Sequence, residues 1–138
     1  TVHSDGNTQP CQIDENISLT RFANLLAYYS EEEKYIKISK HGLRYLSIPE
    51  IATARIEEAG ILLVDREMQI PPLTFNINGH KNNKQVRIFL KIAREHKGWY
   101  KLIKLNNSEE ISVSIEIDGF KSKAIKTTEE INDLLLTH

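Results

Sequence analysis

The sequence has few of the features that cross-link a chain or anchor it in a membrane. Cys11 is the only cysteine among 138 residues, so neither an intrachain disulfide nor a cysteine-rich zinc site can form. The longest uninterrupted aliphatic run covers residues 61–64, far short of the roughly 20 apolar residues that cross a bilayer. The sequence therefore predicts no membrane span.

Recognisable catalytic and metal-binding motifs are also absent. The six glycines are isolated from one another and no Gly-x-Ser-x-Gly elbow occurs, which excludes a glycine-rich phosphate loop and the elbow type of serine nucleophile. The five histidines are scattered, without a second histidine two or four residues away. We therefore expect no metal, no cofactor and no enzymatic activity. An active site formed by carboxylates and histidines that are distant in the sequence would show no such motif.

The composition is that of an ordinary globular protein. Hydrophobic residues make up 40% of the chain, charged residues 27%, and the net charge is -1, so the chain as a whole is neither a polyanion binder nor an acidic tail. A length of 138 residues is typical of a single domain. We predict a flexible arm over residues 1–12 and a single α+β domain over residues 13–138, with a possible subdomain break near Pro71-Pro72.

The first half of the chain reads as helices separated by short strands. A helix is predicted from about Asn16 to the acidic residues 31–33, with Phe22, Leu25, Leu26 and Tyr29 on one apolar face. A short strand is predicted at 35–39, closed by a turn at His41-Gly42. A second helix begins after Ser47 and ends at Gly60, and a second short strand follows at 61–65.

After Pro71-Pro72 the apolar period changes to two, which is typical of antiparallel strands. Five strands are predicted, at residues 73–77, 85–94, 99–105, 111–117 and 120–126. The clearest signal is Asp118-Gly119, a two-residue hairpin turn. It places Ile117 opposite Phe120, Glu116 opposite Lys121 and Val113 opposite Ala124. A capping box at residues 127–130 starts a closing helix that docks on the sheet.

The predicted fold is therefore α+β: N-terminal helices with a short strand or two, then a five-stranded antiparallel meander packed by a C-terminal helix.

Positive charge is concentrated in one part of this meander. Residues 80–105 hold eight cations against the single anion Glu95, a local balance of +7. The cations are Lys81, Lys84, Arg87, Lys91, Arg94, Lys97, Lys101 and Lys104. If residues 85–94 form a strand, Arg87, Phe89 and Lys91 share one of its faces. The predicted binding residues are those cations and aromatics nearest that face: Arg87, Phe89, Lys91, Trp99, Tyr100, Lys101 and Lys104.

These residues favour a non-enzymatic interaction module that meets an acidic protein surface through a sheet face or edge. The acidic surface could belong to a second copy of this chain. The same face could instead bind single-stranded nucleic acid, with phosphates on the cations and bases stacked on the aromatics. Lysines on an outward strand face also serve solubility alone. The compartment is left open: a cytoplasmic location is slightly favoured, and a secreted or periplasmic one follows if Thr1 is a processed N-terminus.

Overall fold

The computed structural model describes residues 13–54 and 59–136. The chain divides into two compact units, unit 1 up to Gln69 and unit 2 from Ile70 onward; this boundary lies next to Pro71-Pro72. The arm predicted at residues 1–12 lies outside the described residues. Among the helices described, none has both the length and the apolar character needed to cross a bilayer.

Unit 1 is helical throughout its described part. Its helices are α1 (Ile13–Ser30), α2 (Glu33–Leu46), α3 (Pro49–Ala54) and α4 (Ala59–Gln69). The small core consists of the buried residues Ile17, Leu46 and Val64, with further apolar side chains packed around them. α1 ends where the acidic run begins, as predicted.

Helices α1 and α2 approach closely where Thr20 meets Gly42. The buried residues of α1 are Ile17, Thr20, Ala23, Asn24 and Ala27, and Ser39 is buried on α2. A Cβ atom added to Gly42 would overlap the Thr20 hydroxyl. This close approach explains a glycine in the middle of α2, where glycine otherwise costs roughly 0.5–1 kcal/mol relative to alanine.

Polar contacts connect α1 to α4. The Arg21 guanidinium pairs with both carboxylate oxygens of Glu67, at N–O distances of 2.7 to 3.0 Å. The Glu67 side chain is only 1% exposed. Asn24 donates from Nδ2 to the Glu67 backbone oxygen at 2.9 Å. Unit 1 therefore buries a carboxylate whose partner, the Arg21 guanidinium, lies on a side chain that is 37% exposed.

Both strands predicted in this half were wrong. Residues 35–39 belong to α2, and the predicted turn at His41-Gly42 lies inside the same helix. Residues 61–65 belong to α4, and Gly60 is its second residue rather than a helix end. Short apolar runs fit a strand and a buried helix turn equally well, and here tertiary packing favours the helix. The predicted course of the second helix through Ile56 falls outside the described residues.

Unit 2 is a sheet with two helices on one face. Its elements are β1 (Leu73–Asn78), α5 (Lys84–Glu95), β2 (Lys101–Asn106), β3 (Ser112–Ile117), β4 (Phe120–Lys121) and α6 (Thr128–Leu136). One apolar cluster joins the sheet to both helices, with Phe75, Ile77, Val113 and Ile115 from the strands, Val86, Phe89 and Ala93 from α5, and Ile131 from α6. The predicted docking of the closing helix is confirmed.

The predicted five-stranded antiparallel meander was wrong. The described sheet has four strands in the order β2-β1-β3-β4. β1 and β2 are parallel, with Leu73 opposite Lys101, whereas β3 is antiparallel to both β1 and β4. A parallel neighbour requires a crossover connection, and α5 provides it.

Residues 85–94, predicted as the second strand, form α5 instead. Both readings find apolar residues at their required positions, but the fully buried ones are Val86, Phe89 and Ala93, spaced as on a helix face. Asn83 adds the N-cap, since its side chain accepts a hydrogen bond from the Gln85 N–H at 2.8 Å. The face expected to carry Arg87, Phe89 and Lys91 together therefore does not exist.

The Asp118-Gly119 hairpin is confirmed. Asp118 and Gly119 both have positive φ, at 49° and 82°, as a primed turn requires. Ile117 lies opposite Phe120 and Glu116 opposite Lys121. Further along, Val113 bridges Ile125 and not Ala124, because one extra residue bulges from the returning chain. The fifth predicted strand is thereby shortened to β4.

Candidate partner-binding groove

Helix α5 brings four cations onto one face, whereas the predicted strand would have placed them on two faces. Lys84, Arg87, Lys91 and Arg94 recur at intervals of three and four residues and are all exposed, so they form one stripe along the helix. The opposite face of α5 is the buried one that contains Phe89.

A groove of about 720 Å³ runs beside this stripe, between α5 and β2. Leu90 from the helix and Ile103 and Leu105 from the strand supply its apolar part. Arg87 and Arg94 border it along the helix, and Lys81 with Asn82 closes the end that precedes α5. The combination is an apolar trough with cations on its rim.

The rim cations have no ion pair with any described carboxylate. Arg87 makes one long contact, from Nε to the Lys81 backbone oxygen at 3.5 Å. Lys91, outside the groove, differs because its Nζ lies 3.8 Å from Glu95. The groove therefore presents positive charge that the surrounding described structure does not neutralise.

Lys101, at the start of β2, contacts the C-terminal end of α5. Its Nζ donates to the backbone oxygens of Arg94 at 2.7 Å and His96 at 2.5 Å, which satisfies carbonyls at the end of α5. Partial burial, followed by the charge of Lys101, lowers the pKa of His96. His96 Nδ1 accepts the Gly98 N–H at 3.0 Å, an arrangement that requires an unprotonated Nδ1.

The predicted aromatic binding residues lie mostly inside the protein. Phe89 is 1% exposed and Tyr100 is 8% exposed. Trp99 is 57% exposed and stacks on Tyr100, with ring centroids 5.6 Å apart. None of the three lines the groove.

The predicted cations are divided between several positions. Arg87 lines the groove, Lys91 lies on the same helix face, and Lys101 is tied to the end of α5. Lys104 lies on the face of β2 opposite Ile103 and Leu105, because side chains alternate along a strand.

Sequence reasoning missed Arg94 and the apolar residues of the groove as site residues. The signal was present in the charges themselves: Arg87 and Arg94 are seven residues apart, which is two helical turns.

Within the described ranges, no three histidine, cysteine, aspartate or glutamate side chains come close enough together to hold a metal ion. Comparison of the chain with protein-family models, with curated proteins and with solved structures gives no match. The groove is therefore interpreted from its own chemistry.

Proposed function

We propose that unit 2 is a protein-interaction module whose α5–β2 groove binds an acidic segment of a partner protein. The observation that supports this most directly is the pair Arg87 and Arg94, which have no carboxylate partner among the described residues and border an apolar trough. Carboxylates satisfy guanidinium groups with charge-assisted hydrogen bonds, and the trough adds apolar contact beside them.

A role in solubility alone would explain the cations but not their setting. Exposed ion pairs such as that of Lys91 with Glu95 contribute only about 0.2–1 kcal/mol each. Close charge pairs across a protein–protein interface can reach about 1.5 kcal/mol or more. A partner that covers the groove would form such interface pairs with Arg87 and Arg94, next to the apolar side chains of Leu90 and Ile103.

An acidic protein segment suits the groove better than single-stranded nucleic acid. Binders of single strands stack bases on exposed aromatic rings next to the cations. Phe89 and Tyr100 are buried, and the groove lining contains no aromatic side chain. The cations alone would attract phosphates without holding the bases.

Titration with soluble poly-glutamate and with a single-stranded oligonucleotide tests the proposal. We expect the double variant Arg87→Glu/Arg94→Glu to weaken poly-glutamate binding by about tenfold or more, because each charge reversal replaces attraction with repulsion. The matched control is Lys121→Glu/Lys123→Glu, which changes the net charge equally within unit 2 but away from the groove.

Equal losses in both double variants would mean that only net charge matters, and the proposal would be abandoned. Tighter binding of the oligonucleotide, lost in the same groove variant, would assign the groove to nucleic acid instead.

A further inference from the structure

We infer that the acidic segment is held in an extended conformation, as a strand added to the outer edge of β2. This inference rests on the proposed function and specifies how the groove is filled. β2 ends the sheet order on one side, and among the described residues β1 is its only strand neighbour. An extended peptide can pair with such an edge through its backbone.

The hydrogen bonds of the sheet determine which residues of β2 face outward. The Leu73 N–H donates to the Tyr100 oxygen at 3.2 Å, and the Gly79 N–H donates to the Asn106 oxygen at 2.9 Å. Because backbone groups alternate along a strand, the even-numbered residues of β2 face β1. Lys101, Ile103 and Leu105 therefore point their N–H and C=O groups to the open edge, where no backbone bond to a described residue occupies them.

The same three residues have their side chains on the α5 side of the sheet. Ile103 and Leu105 line the groove, and Lys101 contacts the end of α5. At the other end, Leu105 shares a second small cavity with Lys81 and Asn82, which precede α5. α5 thus runs antiparallel to β2, and a segment paired with the edge would lie alongside the cationic stripe.

The spacing along α5 defines the sequence that fits. Arg87 and Arg94 are seven residues apart, about 10.5 Å along a helix axis, with Leu90 between them. In a strand, side chains on one face repeat every ~6.7 Å, so positions i and i+4 are ~13 Å apart with i+2 midway. Flexible arginine and glutamate side chains cover the difference. The segment therefore has the pattern acidic-x-apolar-x-acidic, with its acidic residues toward the two arginines and its apolar residue toward Leu90.

A synthetic peptide with the pattern Glu-x-Val-x-Glu, threonine at each x and threonines at both ends, tests this geometry. Amide hydrogen exchange of the protein is measured with and without saturating peptide. We expect the exchange of the Ile103 and Leu105 amides to slow by about tenfold or more on binding, because the added strand engages them. The amides of Leu102 and Lys104 already face β1 and serve as the internal reference.

Two control peptides separate pairing from charge. One has the same composition with both glutamates and the valine consecutive, and the other carries N-methyl groups on the amides that would pair with β2. Both are expected to bind about tenfold more weakly than the alternating peptide, while the response to Arg87→Glu/Arg94→Glu persists for the alternating peptide.

The two hypotheses fail in different ways. Binding that depends on Arg87 and Arg94 without slower exchange at Ile103 and Leu105, or with no loss on N-methylation, would overturn strand addition and leave the proposed binding of an acidic segment in the groove intact. Binding of the peptide that does not respond to the arginine reversal would overturn the proposed function itself.

Discussion

The two units differ in how many large apolar side chains they bury. In unit 2 the large apolar side chains lie inside, with Phe75, Phe89 and Ile115 each 1% exposed. In unit 1 the residues that α1 buries are mostly small or polar, whereas its Phe22 is 62% exposed and its Tyr29 is 54% exposed. The apolar face predicted for α1, with Phe22 and Tyr29 on it, thus points largely outward, and Leu25 and Leu26 on that face are only half-buried.

This difference implies that the units depend on different interactions. Burial of a large apolar side chain contributes about 1.5–3 kcal/mol, so unit 2 has many such contributions from one cluster. Unit 1 relies more on close helix approach and on the part-buried Arg21–Glu67 pair, which give less apolar burial but tight geometric requirements. The same substitution should therefore have different effects in the two units.

The largest difference in stability loss between the units is expected when one phenylalanine is replaced in each. We expect Phe89→Ala to destabilise unit 2 by about 3–5 kcal/mol, because it empties the centre of the apolar cluster. Phe22→Ala should change the stability of unit 1 by no more than about 0.5 kcal/mol. Urea unfolding measures both, with circular dichroism for the helices of unit 1 and the fluorescence of Trp99, the sole tryptophan, for unit 2. Comparable losses in the two variants would refute the contrast.

Removing one partner of the Arg21–Glu67 ion pair tests what stabilises unit 1. Arg21→Ala removes the guanidinium hydrogen bonds of the buried Glu67 carboxylate, and we expect a loss of about 1.5–3 kcal/mol, because the Arg21 side chain is partly exposed and its removal lets water reach Glu67. Arg21→Met combined with Glu67→Leu removes both charges and should restore most of that loss. Urea unfolding followed by circular dichroism provides the measurement. A double variant as unstable as Arg21→Ala would show that the pair contributes by more than mutual neutralisation.

The smallest expected effect is a pH dependence confined to unit 2. The pKa of His96 is lowered in the folded state, so below about pH 6.5, the ordinary histidine pKa, the unfolded chain takes up its proton first. The stability that depends on neutral His96 is therefore complete above that pH and decreases as the pH falls through the lower folded pKa.

Trp99-detected urea midpoints between about pH 8 and about pH 5 measure this effect. His96→Asn retains a side-chain acceptor for the Gly98 N–H but does not titrate, so its midpoints should depend less on pH. Identical profiles for the variant and the native protein would exclude His96 as the source.

The sequence predicted the elements whose signals are local. Asp118-Gly119 admits few structures besides a hairpin, and the capping box at residues 127–130 correctly placed α6, with the Glu130 N–H donating to the Thr127 hydroxyl at 3.3 Å. Residues 35–39, 61–65 and 85–94 were misread because their apolar residues satisfy both periods. The choice between the two periods depends largely on contacts with distant residues, such as that of Thr20 with Gly42 in α2; in α5 the Asn83 N-cap was a local signal for the helix that the strand assignment overlooked.

The sequence predicted the positive charge of the candidate site but not the residues that form the groove. Counting cations located the positive segment, but assigning it to a strand brought Phe89 to the surface and left Arg94 and Leu90 out. The groove exists because α5 crosses beside β2, and that crossover follows from the parallel pairing of β1 with β2. A single misassigned element therefore displaced most of the predicted site.

The open edge of β2 has a consequence for the protein at high concentration. At the opposite side of the sheet, β4 has only two residues, which offers little for another chain to join. If two molecules met edge to edge along β2, the arginines of both would be brought together, and like charges oppose that encounter. The positive rim would thus admit negatively charged strands while it discourages aggregation of the protein with itself, and concentrated salt, which screens charge, would weaken this protection.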